Sequence, residues 1–369
     1  MKVVCDRGAL VEALKLARGA VVARSPKPVL GCVKLSAETD DGMLHVAATD
    51  MEIGLYLSTP RIEVAEPGEA VLPADKLLQI VNESNDPTLT IEMEHEAAHI
   101  RGQDSHFKVF GYPPADFPAV MPFSGDSDFE IAAATLRQLI EQTQYATARE
   151  NTRYAINGVL LEREGNKLCV VATDGHRLAL ARGPYEPTGD ESGGSAIIPP
   201  KALNMLMSLL DDPEQAVRVR IADSQIIFGT DNATLWSNLV EGNFPPYKDV
   251  IPKDADRKAT LATDALHSAV RRAAVLTNEE SKGVRFAFQP DGLTLSSRAP
   301  EMGEAEIKVD LPKFDGEPIE IGFNPGYLLD ALKVTHAEHV TMDLRAPNKP
   351  GVLRSGPDFL YVIMPVNLQ

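Results

Sequence analysis

The sequence has 369 residues, with 36 basic and 53 acidic side chains and a formal net charge of −17. The length allows two to three domains, and the charge argues against a protein that coats nucleic acid by bulk electrostatics. The absence of an apolar run of about 18 residues excludes a membrane-spanning helix, and early charged residues argue against a signal peptide. The cysteines at 5, 32 and 169 are too scattered for a zinc site. We therefore expect a cytoplasmic protein with reduced thiols.

Six helices are predicted in chain order from apolar residues that recur three to four positions apart. They lie near residues 8–21, 75–83, 134–147, 200–210, 264–276 and 325–335. Apolar and polar residues alternate at 89–93 and at 307–311, which is typical of half-buried strands. The sequence therefore predicts an α+β fold in which helices pack on one face of mostly antiparallel sheets.

The predicted elements form an internal repeat. Val46–Asp50 matches Val170–Asp174, and Ala70–Ala74 matches Ala196–Pro200. The matching segments, including the strand–helix starts of each third, are 124 to 130 residues apart and follow the same order. This predicts three similar domains, each with two helices on antiparallel sheets, joined by linkers rich in Pro, Gly and Asp. The predicted domains cover residues 1–122, 127–251 and 256–369.

One segment, His95-Glu96-Ala97-Ala98-His99, matches the H-E-x-x-H signature of zinc proteases. That chemistry needs both histidines on one face of a helix, with the glutamate as general base. Apparent strands lie on both sides of the segment, which favours a β-hairpin whose exposed turn carries both histidines. A zinc-dependent hydrolase that uses His95, Glu96 and His99 is kept as the alternative function.

A second polar segment, Thr173–Arg177, combines an acid, a glycine, a histidine and an arginine. We interpret it as a turn in which Asp174 accepts backbone hydrogen bonds and Gly175 takes a positive φ. No G-x-S-x-G elbow, P-loop or G-x-G-x-x-G motif accompanies it. The residues therefore favour a repeat-built binding protein rather than an enzyme, with no metal and no cofactor.

The predicted helices are less acidic than the chain as a whole, whose net charge is −17. The first helical region has Lys15, Arg18 and Arg24 against Glu12, and Lys201 opens the fourth helix. The helical face is therefore near neutral to mildly positive. Such a face suits a weak contact with phosphate that does not depend on sequence.

With these features in view, the chain resembles the bacterial DNA polymerase III β subunit, the replicative sliding clamp, over essentially its whole length. The segments that carry the resemblance are Ala115–Pro118, Arg153–Gly158, Ala172–Leu178, Arg272–Glu279, Ile321–Asn324 and Tyr361–Pro365. The resemblance implies the DNA clamp fold and a head-to-tail homodimer that closes a six-domain ring around double-stranded DNA. The ring would slide freely and would do no chemistry itself.

The resemblance also implies the residues that contact other molecules. The candidates for DNA contact are Arg24, Arg149 and Lys201. The expected partners are the replicative DNA polymerase, a clamp loader, and other replication or repair proteins that carry clamp-binding peptides. In the dimer seam, Phe107 and Val109 of one copy would meet Val275 and Leu276 of the next.

The partner proteins of this family share a pocket for a short peptide that carries Gln, Leu and Phe. Transferred position by position, the wall would be formed by Arg153, Ile156, Thr173, Gly175, His176, Arg177, Leu178, Pro245, Val250, Val362, Met364, Pro365 and Val366. Apolar side chains and a flexible methionine suit an adaptable groove, and Arg153 or Arg177 can meet an acidic residue of the peptide. Asp249 and Asn367 depart from the family's usual basic residues, which leaves the preference among partner peptides open.

Overall fold

The structure is a computed structural model of the chain. It describes residues 1–22, 24–39, 42–60, 62–149, 155–189, 194–277, 283–299 and 302–368. The helices are α1 Arg7–Arg18, α2 Ala74–Glu83, α3 Ala133–Glu141, α4 Pro200–Met207, α5 Thr263–Ala273 and α6 Pro325–Lys333. All six predicted helices are therefore present. None of the helices in the described ranges has the length and the apolar content that crossing a membrane requires.

Strands make up most of the remaining regular structure. In the first half of the chain they are β1 Lys2–Asp6, β2 Cys32–Ala37, β3 Leu44–Thr49, β4 Ile53–Thr59, β5 Ile62–Glu66, β6 Gly68–Pro73, β7 Thr88–Glu94, β8 Ala97–Arg101, β9 His106–Phe110, β10 Phe129–Ala132, β11 Val159–Glu164, β12 Lys167–Thr173 and β13 Arg177–Pro184. In the second half they are β14 Glu186–Pro187, β15 Ser195–Ile198, β16 Ala216–Ile221, β17 Gln225–Gly229, β18 Ala233–Asn238, β19 Arg257–Ala262, β20 Val284–Gln289, β21 Gly292–Ala299, β22 Gly303–Val309, β23 Lys313–Asp315, β24 Ile319–Phe323, β25 His339–Leu344, β26 Gly351–Ser355 and β27 Phe359–Ile363.

The order of elements confirms the threefold repeat. A strand leads directly into a helix at β1–α1, β10–α3 and β19–α5, and again at β6–α2, β15–α4 and β24–α6. Local chemistry starts several of these helices. The Asp6 carboxylate accepts a bond from the Ala9 N–H at 2.8 Å, and the Asn324 side chain accepts one from the Gly326 N–H at 2.9 Å. Both are helix N-caps, which satisfy backbone donors that the helix leaves unpaired.

The chain folds into two compact units. The first contains Met1–Ala134, Tyr185–Ser192 and Lys201–Leu239. It has a five-stranded sheet in the order β5-β1-β7-β8-β9 and a nine-stranded sheet in the order β14-β10-β16-β17-β18-β4-β3-β2-β6. Helix α1 packs against α2 and against β4, with Leu10, Leu14 and Ala17 buried in the contact. The nine-stranded sheet joins strands of the first and middle thirds through the pair β4–β18.

The second unit contains Thr135–Pro184, Gly193–Pro200 and Val240–Gln369. Its nine-stranded sheet has the order β15-β11-β12-β13-β27-β26-β25-β19-β23, and a four-stranded sheet has the order β22-β21-β20-β24. Helix α5 packs on α6 and on β22. Here the pair β13–β27 joins strands of the middle and last thirds. The middle third thus contributes strands to both large sheets, which explains why three repeats fold as two units.

Candidate functional site

The segment Thr173–Arg177 forms the predicted turn at the end of β12. The N–H groups of His176 and Arg177 donate to Asp174 Oδ1 at 2.9 and 3.0 Å, and Gly175 has a φ of +87°. The Thr173 hydroxyl donates to the Arg177 carbonyl at 2.6 Å and accepts from the Gly175 N–H at 3.1 Å. The interpretation as an Asp-anchored turn is confirmed. The turn presents Gly175 and His176 at the surface.

The Arg177 side chain ties this turn to two other elements of the second unit. Its Nε–H donates to Asp174 Oδ2 at 3.0 Å, and Nη1 donates to Asp330 Oδ2 on α6 at 2.5 Å. Nη2 donates to the Tyr145 carbonyl at 2.8 Å, and the guanidinium lies 4.5 Å from the centre of the Tyr327 ring. Burial disfavours the charged form, but the bond to Asp330 and the Asp174 charge outweigh it and raise the pKa of Arg177.

Strands β13 and β27 bring the turn next to the end of the chain's last strand. Leu178 is paired with Val362, and the Met364 N–H donates to the His176 carbonyl at 2.9 Å. Leu178 and Val362 belong to a buried apolar cluster that also contains Tyr247. The residues packed on its edge are Val240, Phe244 and Ile251. Residues from three distant parts of the sequence therefore share one core beneath the candidate pocket.

Exposed apolar side chains border this core. Val250 and Met364 are both exposed, and Pro365 is half-buried beside Met364. The loop at Pro245 is held by backbone hydrogen bonds between residues that are close in sequence. The Tyr247 N–H donates to the Pro245 carbonyl at 2.7 Å, and the Val250 N–H donates to the Tyr247 carbonyl at 3.2 Å. Tyr247 anchors the loop in the core. Val250, Met364 and Pro365 form an exposed apolar rim above this buried core. Such a rim can bind an apolar peptide segment.

The remaining predicted wall residues are placed less centrally. Ile156 is buried, and its carbonyl accepts a bond from the Ala148 N–H at 2.9 Å. The Val366 N–H donates to the Gly322 carbonyl on β24 at 2.9 Å, so the chain leaves the turn and follows β24 at this point. Arg153 lies outside the described residues.

Of the predicted seam residues, Phe107 and Val109 lie on an edge strand, and Val275 and Leu276 lie in a 3-10 turn. Strand β9 is the outer strand of the five-stranded sheet, and it exposes Phe107 and Phe110, with Val109 half-buried. Val275 is 73% exposed, and Leu276 is half-buried beside it, in a short 3-10 turn that follows α5. Strand β22 forms an outer edge of the four-stranded sheet. Large exposed apolar residues at an edge strand are typical of an interaction surface.

The three candidate DNA contacts are all exposed. Arg24 lies in the loop after α1, and Lys201 lies in the first turn of α4. Arg149 follows the 3-10 turn Gln144–Ala146. Lys201 forms an ion pair with Asp50, whereas no ion pair is recorded for Arg24 or Arg149 within the described part of the chain.

Family models of three domains match consecutive parts of the chain. The model of the DNA polymerase III β subunit N-terminal domain matches residues 1–122, that of the central domain 130–246, and that of the C-terminal domain 248–367. The chain belongs to the DNA polymerase III β subunit family. The fold described above, with helices on antiparallel sheets in three repeats, is the fold of this family.

Relatives in the β subunit family match over the full length. A beta sliding clamp of Pseudomonas putida is 36% identical and covers 98% of this chain and 99% of its own length. The beta sliding clamp of Vibrio cholerae is 33% identical over 100% of both chains. A crystal structure of the sliding clamp of Pseudomonas aeruginosa bound to griselimycin has a TM-score of 0.93 and 34% identity, with full coverage of both chains.

The H-E-x-x-H segment adopts the wrong geometry for a zinc hydrolase. Strand β7 ends before His95 and β8 begins after Glu96, so the segment is a β-hairpin and not a helix. The prediction that both histidines occupy the turn was wrong for His99, which lies in β8 with its Nδ1 2.8 Å from His106 Nε2. Among the described residues, no group of three or more His, Cys, Asp or Glu side chains is arranged to hold a metal ion. The alternative function therefore has no support in the geometry.

The three cysteines are buried as free thiols. Burial raises the pKa of Cys5 to about 12 and those of Cys32 and Cys169 to about 11. Because the thiolate is the reactive form, these side chains act as small apolar groups in the core.

Sequence reasoning missed the residues that surround Arg177. Asp330, Tyr145 and Tyr327 were not among the predicted site residues, although all three contact this guanidinium. Asp330 is 153 positions away from Arg177, so no local pattern links the two. The tertiary packing of α6 against the turn creates the contact.

Proposed function

We propose that this chain is a DNA sliding clamp, the processivity factor of a replicative DNA polymerase, and that it works as a non-catalytic ring in the cytoplasm. The observation that carries the proposal is the match of three β subunit domain models, in order, across residues 1–122, 130–246 and 248–367. The repeats proposed from the sequence, 1–122, 127–251 and 256–369, would supply three domains from each of two copies. A closed ring holds double-stranded DNA by topology, so the net charge of −17 is compatible with it.

Two exposed edges support head-to-tail dimerisation. In the proposed seam, Phe107 and Val109 of β9 meet Val275 and Leu276 of a second copy, with β9 beside the other copy's β22. Different surfaces of each copy meet in such a contact, and the contact closes a ring when the rotation allows it. Backbone pairing between two edge strands would extend a sheet across the seam.

Inside the ring, Arg24, Arg149 and Lys201 would contact DNA phosphates. Their exposure supports this role. A few cations give a weak contact that does not depend on sequence, which permits sliding. The Asp50 carboxylate beside Lys201 weakens the contact further.

Partner proteins would bind at the apolar rim around the turn Thr173–Arg177. The polymerase, the clamp loader and other replication or repair proteins would each present a short peptide with Gln, Leu and Phe. The exposed Val250 and Met364, above a core that contains Leu178 and Val362, support an apolar pocket. Asp249 and Asn367 lie near this rim in sequence and bear on the preference among peptides.

The topological link to DNA is the direct test. The chain is loaded onto nicked circular DNA with a cognate loader and ATP, and retention is measured by gel filtration before and after a restriction enzyme linearises the circle. We expect retention that is lost on linearisation. Retention that survives cutting would indicate ordinary electrostatic binding and would contradict the ring.

Val275→Asp tests the seam in the same assay. Val275 is exposed in the single chain, so the substitution should not disturb folding, but it would bury an unpaired charge in the dimer. We expect the dimer dissociation constant measured by sedimentation to rise at least about tenfold, which corresponds to a loss of about 1.4 kcal/mol of dimerisation free energy. The amount of protein retained on DNA should fall with it. The matched control is Met121→Asp, at an equally exposed apolar residue outside the proposed seam. A dimeric Val275→Asp variant with normal retention would contradict the seam.

A further inference from the structure

The turn Thr173–Arg177 contains an arginine, Arg177, whose guanidinium already pairs with two carboxylates. Asp174 Oδ2 and Asp330 Oδ2 both accept hydrogen bonds from the Arg177 guanidinium, at 3.0 and 2.5 Å. The three side chains together carry a net charge of −1. Only 11% of the Arg177 side chain is exposed, and the Tyr327 ring covers one face of its guanidinium. An acidic residue of a peptide would therefore meet a site whose positive charge is already neutralised.

The two acids differ in what else they do. Asp174 also accepts the N–H groups of His176 and Arg177, so it is needed to build the turn. Asp330 comes from α6, and its side chain is 47% exposed at the outer end of the cluster. Replacing Asp330 by alanine would leave the turn intact and would remove the acceptor at the Nη1 edge of Arg177.

We propose that Asp330 is a specificity-determining residue, because its carboxylate occupies the edge of Arg177 that an acidic residue of a partner peptide would otherwise bind. The inference rests on the proposed peptide pocket. It assigns Arg177 to positioning the turn rather than to reading an acid. Arg177 then adds nothing to the binding of an acid between the apolar residues, and Arg153 remains the candidate for that role.

Two matched peptides test this assignment. Both carry the same Gln, Leu and Phe residues, and they differ only in having Asp or Asn at one position between the apolar residues. Dissociation constants are measured by fluorescence anisotropy with the full-length protein at pH 8, where histidine side chains are ordinarily neutral. In an Arg153→Ala background, we expect the chain that retains Asp330 to bind the two peptides within about twofold of each other. Asp330→Ala in the same background should bind the Asp peptide about fivefold more tightly than the Asn peptide, because the Nη1 edge of Arg177 becomes available for a charge-assisted hydrogen bond.

Two further variants separate specificity from general damage. Asp330→Glu keeps the carboxylate and should restore the ratio found with Asp330. Asp343→Ala removes another arginine-paired carboxylate of the same unit, where Asp343 accepts a bond from Arg354 at 2.8 Å, and it should leave the ratio unchanged. A ratio of two affinities is insensitive to a uniform loss of binding, so modest destabilisation of α6 would not imitate the expected result.

Three outcomes would overturn the inference. The first is a preference of about fivefold or more for the Asp peptide in the Arg153→Ala background with Asp330 in place. The second is an Asp330→Ala ratio equal to that background, and the third is an Asp343→Ala variant that acquires the same preference as Asp330→Ala. If the native chain binds neither peptide, the proposed pocket itself is wrong and the role of Asp330 falls with it. Binding of both peptides without a change of ratio leaves the pocket standing and removes only this inference.

Discussion

The two units contain the same turn at matching places in the repeat. In the first unit, the Thr49 hydroxyl donates to the Ile53 carbonyl at 2.7 Å, and Asp50 Oδ1 accepts from the N–H of Ile53 at 2.7 Å. Met51 has a φ of +78°, close to the value at the glycine of the turn at 173–177. The hydrogen bonds of the two turns correspond one to one. The backbone alone therefore cannot make one turn a better binding site than the other.

The side chains behind the turns differ. In the second unit, Leu178 is paired with Val362, and both are buried beneath the apolar rim. The corresponding pair in the first unit is Gly54 and Trp236. A Cβ atom at Gly54 would lie 2.1 Å from the Trp236 indole nitrogen, so the ring covers the place that a larger residue would occupy. The residues at two paired strand positions therefore give the two turns different side chains beneath a similar backbone.

The charge partners of the turns also differ. Asp50 pairs with Lys201, whose side chain is 51% exposed, whereas Asp174 pairs with Arg177, whose side chain is 11% exposed. The second arrangement is also tied to α6 through Asp330. The turn near the proposed peptide pocket is therefore tied to α6 through a nearly buried guanidinium, whereas the counterpart turn pairs with a half-exposed lysine.

Among the substitutions that test this comparison, Gly54→Ala is expected to have the largest effect on stability. Its added methyl group would collide with Trp236, and we expect the free energy of unfolding to fall by about 3 kcal/mol, measured by urea denaturation. The control places the same substitution in a Trp236→Val background, which copies Val362 at the matching position. There the loss due to Gly54→Ala should be below about 1 kcal/mol. An equal loss in both backgrounds would show that the indole does not set the constraint.

Asp174→Asn and Asp50→Asn compare how much each ion pair contributes to the free energy of unfolding. Asparagine keeps an oxygen for the backbone N–H groups, so each change removes mainly the charge. We expect Asp174→Asn to lower the free energy of unfolding by about 2 kcal/mol, because Arg177 is nearly buried. Asp50→Asn should cost less, about 1 kcal/mol, because Lys201 is half-exposed although only 9% of the Asp50 side chain is exposed. Equal losses in matched urea denaturation experiments would contradict the claim that burial of the cation distinguishes the two ion pairs.

Much of the fold could be predicted because its signals are local. The Asp-Gly sequence at 174–175 predicted the turn, and apolar periodicity predicted all six helices. The third helix was predicted to reach residue 147 but ends at Glu141, where the chain continues into a 3-10 turn. There the Thr143 hydroxyl donates to the Leu139 carbonyl at 2.7 Å. Side chains that bond to the backbone in this way compete with helix continuation.

The contacts that shape the site could not be predicted in this way. Leu178 and Val362 meet through strand register, which no local pattern specifies across so many residues. The resemblance to the β subunit family named these two residues but gave no reason for their pairing. The place of His99 was missed for a related reason: the hairpin turn has only two residues, His95 and Glu96, and turn length sets the register.

Tyr145→Phe is expected to have the smallest effect. The Tyr145 hydroxyl is buried beside Tyr361, with ring centres 6.0 Å apart, and has no hydrogen-bond partner within the described ranges. In the matching position, 126 residues earlier, the chain has Gly19. An unpaired buried hydroxyl is unfavourable, so its removal should leave the free energy of unfolding unchanged or raise it by up to about 1 kcal/mol.

Tyr361→Phe is the matched control for that change, because the Tyr361 hydroxyl donates to the Tyr327 carbonyl at 2.8 Å. Its loss should lower the free energy of unfolding by about 1 kcal/mol. Burial raises the pKa of both tyrosines, so neither ionises at pH 7 and the two urea denaturation curves can be compared directly. If Tyr145→Phe destabilised the protein as much as Tyr361→Phe, the Tyr145 hydroxyl would have a partner. The ion cluster around Arg177 would then extend further into the second unit than its three hydrogen bonds indicate.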